Sequence, residues 1–194
     1  MDRDQVLAIF KESGAFLQGH FLLSSGLHSS GYLQCALVCQ NPDACSRLCE
    51  DLAKHYKDTR IDTVIGPAMG GIVLAYEMAR AVGARGIFME RDEGGRMTLR
   101  RGFAVSPGER VLVAEDVMTT GGSAAELIEV SEKAGAQVVG VVSLVDRGGA
   151  GRFQGRRVAS ALKIAVPTYR PEECPLCKQG VPLVKPGSRK QPGA

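Results

Sequence analysis

Long apolar runs are missing from this chain of 194 residues. No stretch of about 18 consecutive apolar residues occurs, so no membrane-spanning helix and no membrane partner are expected. The first residues, Met1-Asp2-Arg3-Asp4, carry acids where a secretory leader has a basic start and an apolar run. That points to a cytoplasmic protein. Charge of one sign is also scarce: 24 basic residues against 21 acidic ones leave a formal +3. No basic stripe interleaved with aromatic residues is present, so no nucleic-acid partner is expected. Only three histidines occur, none in an H-E-x-x-H arrangement. A Walker loop, G-x-x-x-x-G-K-[ST], is absent, and no G-x-G-x-x-G follows a strand pattern. These absences argue against an ordinary P-loop ATPase, a Rossmann dinucleotide enzyme and a zinc protease. Internal repeats and low-complexity tracts are missing too.

What remains is an ordinary globular composition, 44% hydrophobic, in a chain long enough to bury a core. One domain over 1–194 is expected, with a core at about 60–150, an N-terminal layer at about 1–58 and a C-terminal strand and tail at about 156–194. In a cytoplasmic setting the six cysteines are reduced thiols. Cys45 and Cys49 share a helical stripe with Leu48, Leu52 and Tyr56, the pattern of a buried face. Cys35 and Cys39 are expected in or near the core. Cys174-Pro175-Leu176-Cys177 is a lone C-x-x-C. Zinc would need two further ligands at workable spacing, and none lies nearby in sequence, so neither a metal nor a redox role is expected for this pair.

Along the chain, Asp4 to Phe10 predicts a short amphipathic helix closed by Gly14, and Phe21 to Gln34 predicts strands with turns. Asn41-Pro42 starts a helix, a capping Asn and then Pro at the first helical position, running to about Tyr56. Strands are expected at Asp62–Ile65, Gly86–Met89, Arg110–Ala114, Gln137–Val145 and Val158–Val166. Helices follow Gly66–Gly71 and Gly122, the second ending at Gly135. The segment from Pro171 is rich in proline and charge, and Pro186–Ala194 is expected to be loose. Strands alternating with helices predict an α/β fold, a parallel sheet with helices on both faces. Ligands of such sheets sit beyond the carboxyl ends of the strands. Three loops leave those ends: Gly66–Gly71, Glu115–Gly122 and Asp146–Gly151.

The most informative stretch is Val111-Leu112-Val113-Ala114-Glu115-Asp116-Val117-Met118-Thr119-Thr120-Gly121-Gly122-Ser123. An apolar strand runs into two adjacent acids, then into a loop of hydroxyl and glycine residues that opens a helix. Glycines let backbone approach a ligand closely, and free N–H groups at a helix start suit a phosphate. The plain alternative is a strand-to-helix turn capped by a hydroxyl. Adjacent acids at the end of a buried strand are costly unless solvated or paired, and a sugar diol would serve as partner.

This stretch resembles the phosphoribosyl pyrophosphate signature of the type I phosphoribosyltransferases. Three further segments are similar to the orotate branch of that family: Gly19-His20-Phe21-Leu22-Leu23-Ser24-Ser25-Gly26 with Tyr32-Leu33-Gln34; Gly66-Pro67-Ala68-Met69-Gly70-Gly71-Ile72; and Val145-Asp146-Arg147. The resemblance covers nearly all of the chain to Val166. It implies a type I core with a small hood layer, and transfer of phosphoribosyl from phosphoribosyl pyrophosphate to orotate, with Mg2+ bound mainly through the substrate rather than directly by the protein. Glu115 and Asp116 would hold the ribose hydroxyls, with Val117 and Met118 beside them. Thr119, Thr120, Gly121, Gly122 and Ser123 would cradle the 5-phosphate. Ala68, Met69, Gly70 and Gly71 would face the pyrophosphate, through a non-proline cis peptide as in relatives. Thr119 and Arg147 would contact orotate, the guanidinium fork matching a carboxylate. Glu90–Gly102 would be a mobile loop reaching the partner's site in a homodimer, with Arg91, directly after its strand, the first catalytic candidate beside Asp116 and Glu115. Arg96, Arg100 and Arg101 are further candidates to reach the pyrophosphate.

The chain also departs from well-known relatives. Ser24 and Gly70 stand where they carry lysines, and the loop 90–102 is shorter, without their lysine and histidine. Two alternatives stay open on sequence: a phosphoribosyltransferase for another base, and a non-catalytic regulator that senses phosphoribosyl pyrophosphate.

Overall fold

A computed structural model describes residues 1–23, 25–149 and 151–186 of the chain. Ser24 and the end of the tail, 187–194, therefore lie outside the described residues, as does part of the loop after Asp146. Helix α1 (Arg3–Glu12) starts on a capping box in which Asp2 and Gln5 exchange hydrogen bonds with each other's backbone. Strands β1 (Phe16–Leu22) and β2 (His28–Leu33) follow, then the short α2 (Ala36–Cys39). Helix α3 (Pro42–Ala53) begins as its sequence predicts, with Asn41 Oδ1 accepting from the N–H of Ala44 at 3.2 Å. It ends earlier than predicted, because Lys54–Tyr56 tighten into a 3-10 turn.

Strand β3 (Thr63–Pro67) and helix α4 (Gly71–Val82) come next, then β4 (Arg85–Arg91), β5 (Met97–Leu99), β6 (Arg110–Met118) and α5 (Gly122–Lys133). The chain closes with β7 (Gln137–Asp146), β8 (Arg152–Phe153), β9 (Arg156–Lys163), β10 (Thr168–Tyr169) and α6 (Pro175–Lys178). The C-terminal segment thus carries structure where only a proline- and charge-rich stretch was legible.

Seven strands form the main sheet in the order β5-β4-β3-β6-β7-β9-β8. Its five inner strands are parallel, and the two edge strands run antiparallel to their neighbours. Both faces of the inner strands are apolar, as a parallel sheet covered on both sides requires. Val64, Leu112, Ala114, Val142 and Leu144 pack with the α3 and α4 residues Leu48, Leu52, Leu74 and Met78. The alternate residues Ile65, Val111, Val113 and Val141 pack with Leu127 and Ile128 of α5. Each fully buried leucine or isoleucine of this kind contributes about 1.5–3 kcal/mol relative to exposure. This sandwich fixes where the strand ends emerge.

A second, three-stranded antiparallel sheet, β1-β2-β10, forms a hood over one side. Val184 joins it, donating its N–H to His20 O and accepting from Leu22 N, both at 2.8 Å. No described helix is long and apolar enough to cross a membrane.

Candidate active site

Strand β6 runs four residues further than its apolar pattern predicts, so Glu115, Asp116, Val117 and Met118 lie within the strand rather than in the loop after it. The ladder to β7 explains this: Glu115 pairs with Ser143, Val117 with Val145 and Met118 with Asp146. Alternation then separates the acids. Glu115 is buried at 7% exposure, while Asp116 is half-buried on the other face, its Oδ1 accepting from the N–H of Val117 at 2.9 Å.

Only Thr119, Thr120 and Gly121 separate β6 from α5. Both threonines are exposed. Gly121 has φ +78°, and a Cβ there would overlap the ring of Phe153, so glycine is required on two counts. No side chain caps the start of α5. The hydroxyl-capped turn that the sequence left open is therefore not what forms, and the first N–H groups of the helix remain available to an anion.

The loop Ala68–Gly70 closes against this rim. Its Ala68–Met69 peptide is cis, the non-proline cis bond that the resemblance implies. Ala68 donates to Met89 O at 2.8 Å, tying the loop to β4. Gly70 lies against Asp116: a Cβ at Gly70 would overlap Oδ2 and sit 2.9 Å from Cγ. A lysine at position 70 would have to displace that carboxylate.

The third loop arrives from β7. Arg147 donates its N–H to Met118 O at 2.8 Å, which docks it beside the phosphate loop. Its Nη2 lies 3.3 Å from Val166 O, and partial burial pulls the guanidinium below its ordinary pKa. Asp146 is buried, with Oδ1 accepting from the N–H groups of Gly148 and Gly149 at 2.8 Å, a turn that aims the loop. Hood residues also reach the acid edge. The thiol of Cys35 lies 3.5 Å from Asp116 O, and burial followed by the charge of Asp116 pushes the phenol of Tyr32 up.

Residues 90–102, expected to be a mobile loop, build the hairpin of β4 and β5 in this structure. Arg91 belongs to β4 and does not follow it, pairing through both terminal nitrogens with Glu126 of α5 at 2.8 Å. Those bonds, and more distantly Glu115, raise its pKa. Arg101 pairs with Glu90, and Arg96 with Asp92. A hood groove of about 350 Å³, lined by Phe16, Gly31 and Val166 among others, shares no residue with the rim loops.

Sequence reasoning missed one cluster outright. The four donor residues His20, His28, Cys174 and Cys177 converge, so the C-x-x-C does have two further ligand candidates nearby in space. They escaped notice because 146 or more residues separate each cysteine from its histidine neighbours. The only signal on offer was two histidines eight residues apart, His28 inside the stretch predicted as strands with turns and His20 just before it.

Comparison with known proteins agrees with this geometry. Residues 40–165 match the phosphoribosyl transferase domain family. An orotate phosphoribosyltransferase of Pelotomaculum thermopropionicum is 56% identical over 98% of this chain and 100% of its own length. The crystal structure of the orotate phosphoribosyltransferase from Aeropyrum pernix superposes with a TM-score of 0.71 at 33% identity, covering 82% of this chain and 93% of that one. The fold extends to other members: an adenine phosphoribosyltransferase from Rhodothermus marinus reaches 0.63 at 23% identity, over 83% of this chain and 99% of its own.

Proposed function

The chain belongs to the orotate phosphoribosyltransferase family, and we propose that it transfers phosphoribosyl from phosphoribosyl pyrophosphate to orotate. The products are orotidine 5'-phosphate and pyrophosphate, in pyrimidine nucleotide synthesis. A ring nitrogen of orotate attacks the anomeric carbon as the bond to pyrophosphate breaks, and positive charge develops on the sugar. Such a step needs positioning and electrostatics, not a protein nucleophile.

The observation that carries the residue assignment is the closure of Ala68–Gly70 on Asp116 beside the uncapped start of α5. Asp116 and Glu115 hold the ribose hydroxyls, and Thr119–Ser123 take the 5-phosphate on backbone N–H and hydroxyl donors. Ala68–Gly71 face the pyrophosphate. Arg147, with Thr119, reads the orotate carboxylate. Arg91 reaches the pyrophosphate by leaving Glu126. At 38% and 36% side-chain exposure that ion pair is worth only about 0.2–1 kcal/mol, so the move is cheap.

Magnesium fits this rim by donor chemistry, since carboxylate and hydroxyl oxygens are hard ligands. Pyrophosphate and ribose oxygens of the substrate would hold it, beside the carboxylate of Asp116 that lies against the Ala68–Gly70 loop. When bound, the ion neutralises charge on the leaving pyrophosphate.

A homodimer is supported by the exposed apolar residues Val73 and Tyr76 of α4 and Met69 in the loop just before it, where the hairpin 90–102 would reach a neighbour's site. Light scattering at micromolar concentration is expected to give twice the chain mass; a persistent monomer would remove the shared site. The six free cysteines support a cytoplasmic setting. The decisive assay offers orotate, uracil, adenine and hypoxanthine with magnesium and phosphoribosyl pyrophosphate. Consumption of orotate alone is expected, and turnover of a purine instead would refute the assignment.

A further inference from the structure

The hood holds a group of side chains that phosphoribosyl transfer does not use. His20 sits where the β1–β2 register shifts between Gln18 and Phe21, an irregularity of the kind that re-aims a side chain. It meets His28 of β2, with Nε2 2.9 Å from His28 Nδ1. Cys174 Sγ lies 3.4 Å and Cys177 Sγ 3.7 Å from the same Nε2, and Cys177 Sγ lies 3.3 Å from His28 Nδ1. All four donor atoms fall within 4.8 Å of one another. His20, His28 and Cys174 are buried, while Cys177 is exposed and leaves a way in.

Hydrogen bonding alone does not account for this crowding. His20 Nδ1 is 2.8 Å from Val181 O, and a carbonyl only accepts, so that nitrogen carries the ring proton. Nε2 then has one lone pair, yet three donor atoms converge on it. A backbone carbonyl fixing the remote nitrogen is also the usual way a ligating histidine is held. The three sulfur–nitrogen separations, 3.3, 3.4 and 3.7 Å, suit an ion at the centre, and the two imidazole nitrogens, 2.9 Å apart, would part by a few tenths of an ångström to admit it. With zinc bonds of about 2.3 Å to sulfur and about 2.0–2.1 Å to nitrogen, tetrahedral ligand atoms lie about 3.3–3.8 Å apart. Two thiolates and two imidazoles select zinc over magnesium or calcium, which prefer oxygen.

We propose that His20, His28, Cys174 and Cys177 form a closed, structural zinc site that fastens the C-terminal segment to the hood sheet. Val184 continues the same attachment through its backbone pairing with His20 and Leu22. The site stands apart from the rim loops, and the inference does not rest on the catalytic reading.

The test uses the full chain without a polyhistidine tag, purified under reducing conditions from zinc-supplemented culture. Elemental analysis is expected to give about one zinc per chain. Exchange with cobalt is expected to give the strong visible bands of a tetrahedral ion and a thiolate charge-transfer band. The double variant C174S/C177S is expected to lose both signals, to melt roughly 5–10 °C lower and to keep its circular dichroism below the melt. Wild-type protein that holds no zinc and gives no cobalt bands would overturn the proposal. So would a disulfide between Cys174 and Cys177 in zinc-replete protein, or zinc retained by the double variant. Should that variant fail to fold, the wild-type zinc content and cobalt spectrum still decide.

Discussion

At the rim of the parallel sheet, Thr119 is exposed and Asp116 and Arg147 are half-buried, Asp116 accepting from Val117 N–H and Arg147 lying against Val166 O. In the hood, the donor atoms of His20, His28, Cys174 and Cys177 are turned on one another, three of the four residues buried. The first arrangement stores binding capacity, at the ends of strands whose burial fixes them from below. The second consumes it, joining the C-terminal segment to β1 and β2. One chain thus uses polar side chains for recognition where the fold is rigid, and for cross-linking where the fold is thin. Changes at the rim should cost activity and spare stability, and changes in the hood cluster should do the reverse.

The largest effect that would sharpen this contrast is expected from Asp116→Asn. The amide keeps the size of the side chain but removes the charge that, on the proposed assignment, faces the developing positive sugar. A loss in kcat/KM of roughly tenfold or more is expected, with an unchanged melting temperature. A melt lowered as far as that of the double cysteine variant would break the comparison, because Asp116 would then be a structural residue. Arg147→Ala should come next. Losing a charge-assisted contact to a carboxylate costs about 1.5–3 kcal/mol, so the KM for orotate should rise roughly tenfold or more while that for phosphoribosyl pyrophosphate stays put. The opposite split would move Arg147 to the phosphate end of the site.

The rim was legible in the sequence because its chemistry is local. Thirteen consecutive residues, Val111 to Ser123, carry strand, acids, loop and helix start in order, and the near-continuous apolar runs of β6 and β7 announce a sheet covered on both faces. Only the edges of these elements were misjudged. Polar Glu115 and Asp116 broke the apolar pattern, yet the ladder to β7 carried β6 on through Met118. Arg91 was placed after its strand because Glu90 and Arg91 are charged, but pairing with β5 extends β4 to include them. The ion pairs of Arg91 and Arg101 with Glu126 and Glu90 likewise depend on which strands meet. The hood cluster was illegible for a stronger reason of the same kind. Neither His20 nor His28 has a neighbour in sequence that marks it as a ligand, and Cys174 and Cys177 reach them only when the C-terminal segment folds back onto β1. Local propensity has no access to a set assembled by chain closure.

The smallest of the expected rim effects concerns Gly70. Gly70 faces the carboxylate of Asp116 closely enough that a Cβ would overlap Oδ2. The side chain in the way is short and anchored through Val117 N–H at 2.9 Å, so it must turn or the loop must lift. On the proposed assignment, either shift disturbs the ribose and pyrophosphate ends of the site together. Gly70→Ala is therefore expected to raise the KM for phosphoribosyl pyrophosphate roughly threefold to tenfold, with orotate affinity and melting temperature unchanged. The residue lies outside the hood, so zinc content should not move. An unaltered KM would mean that Asp116 yields freely, and that the close fit of the two loops is not what positions the carboxylate.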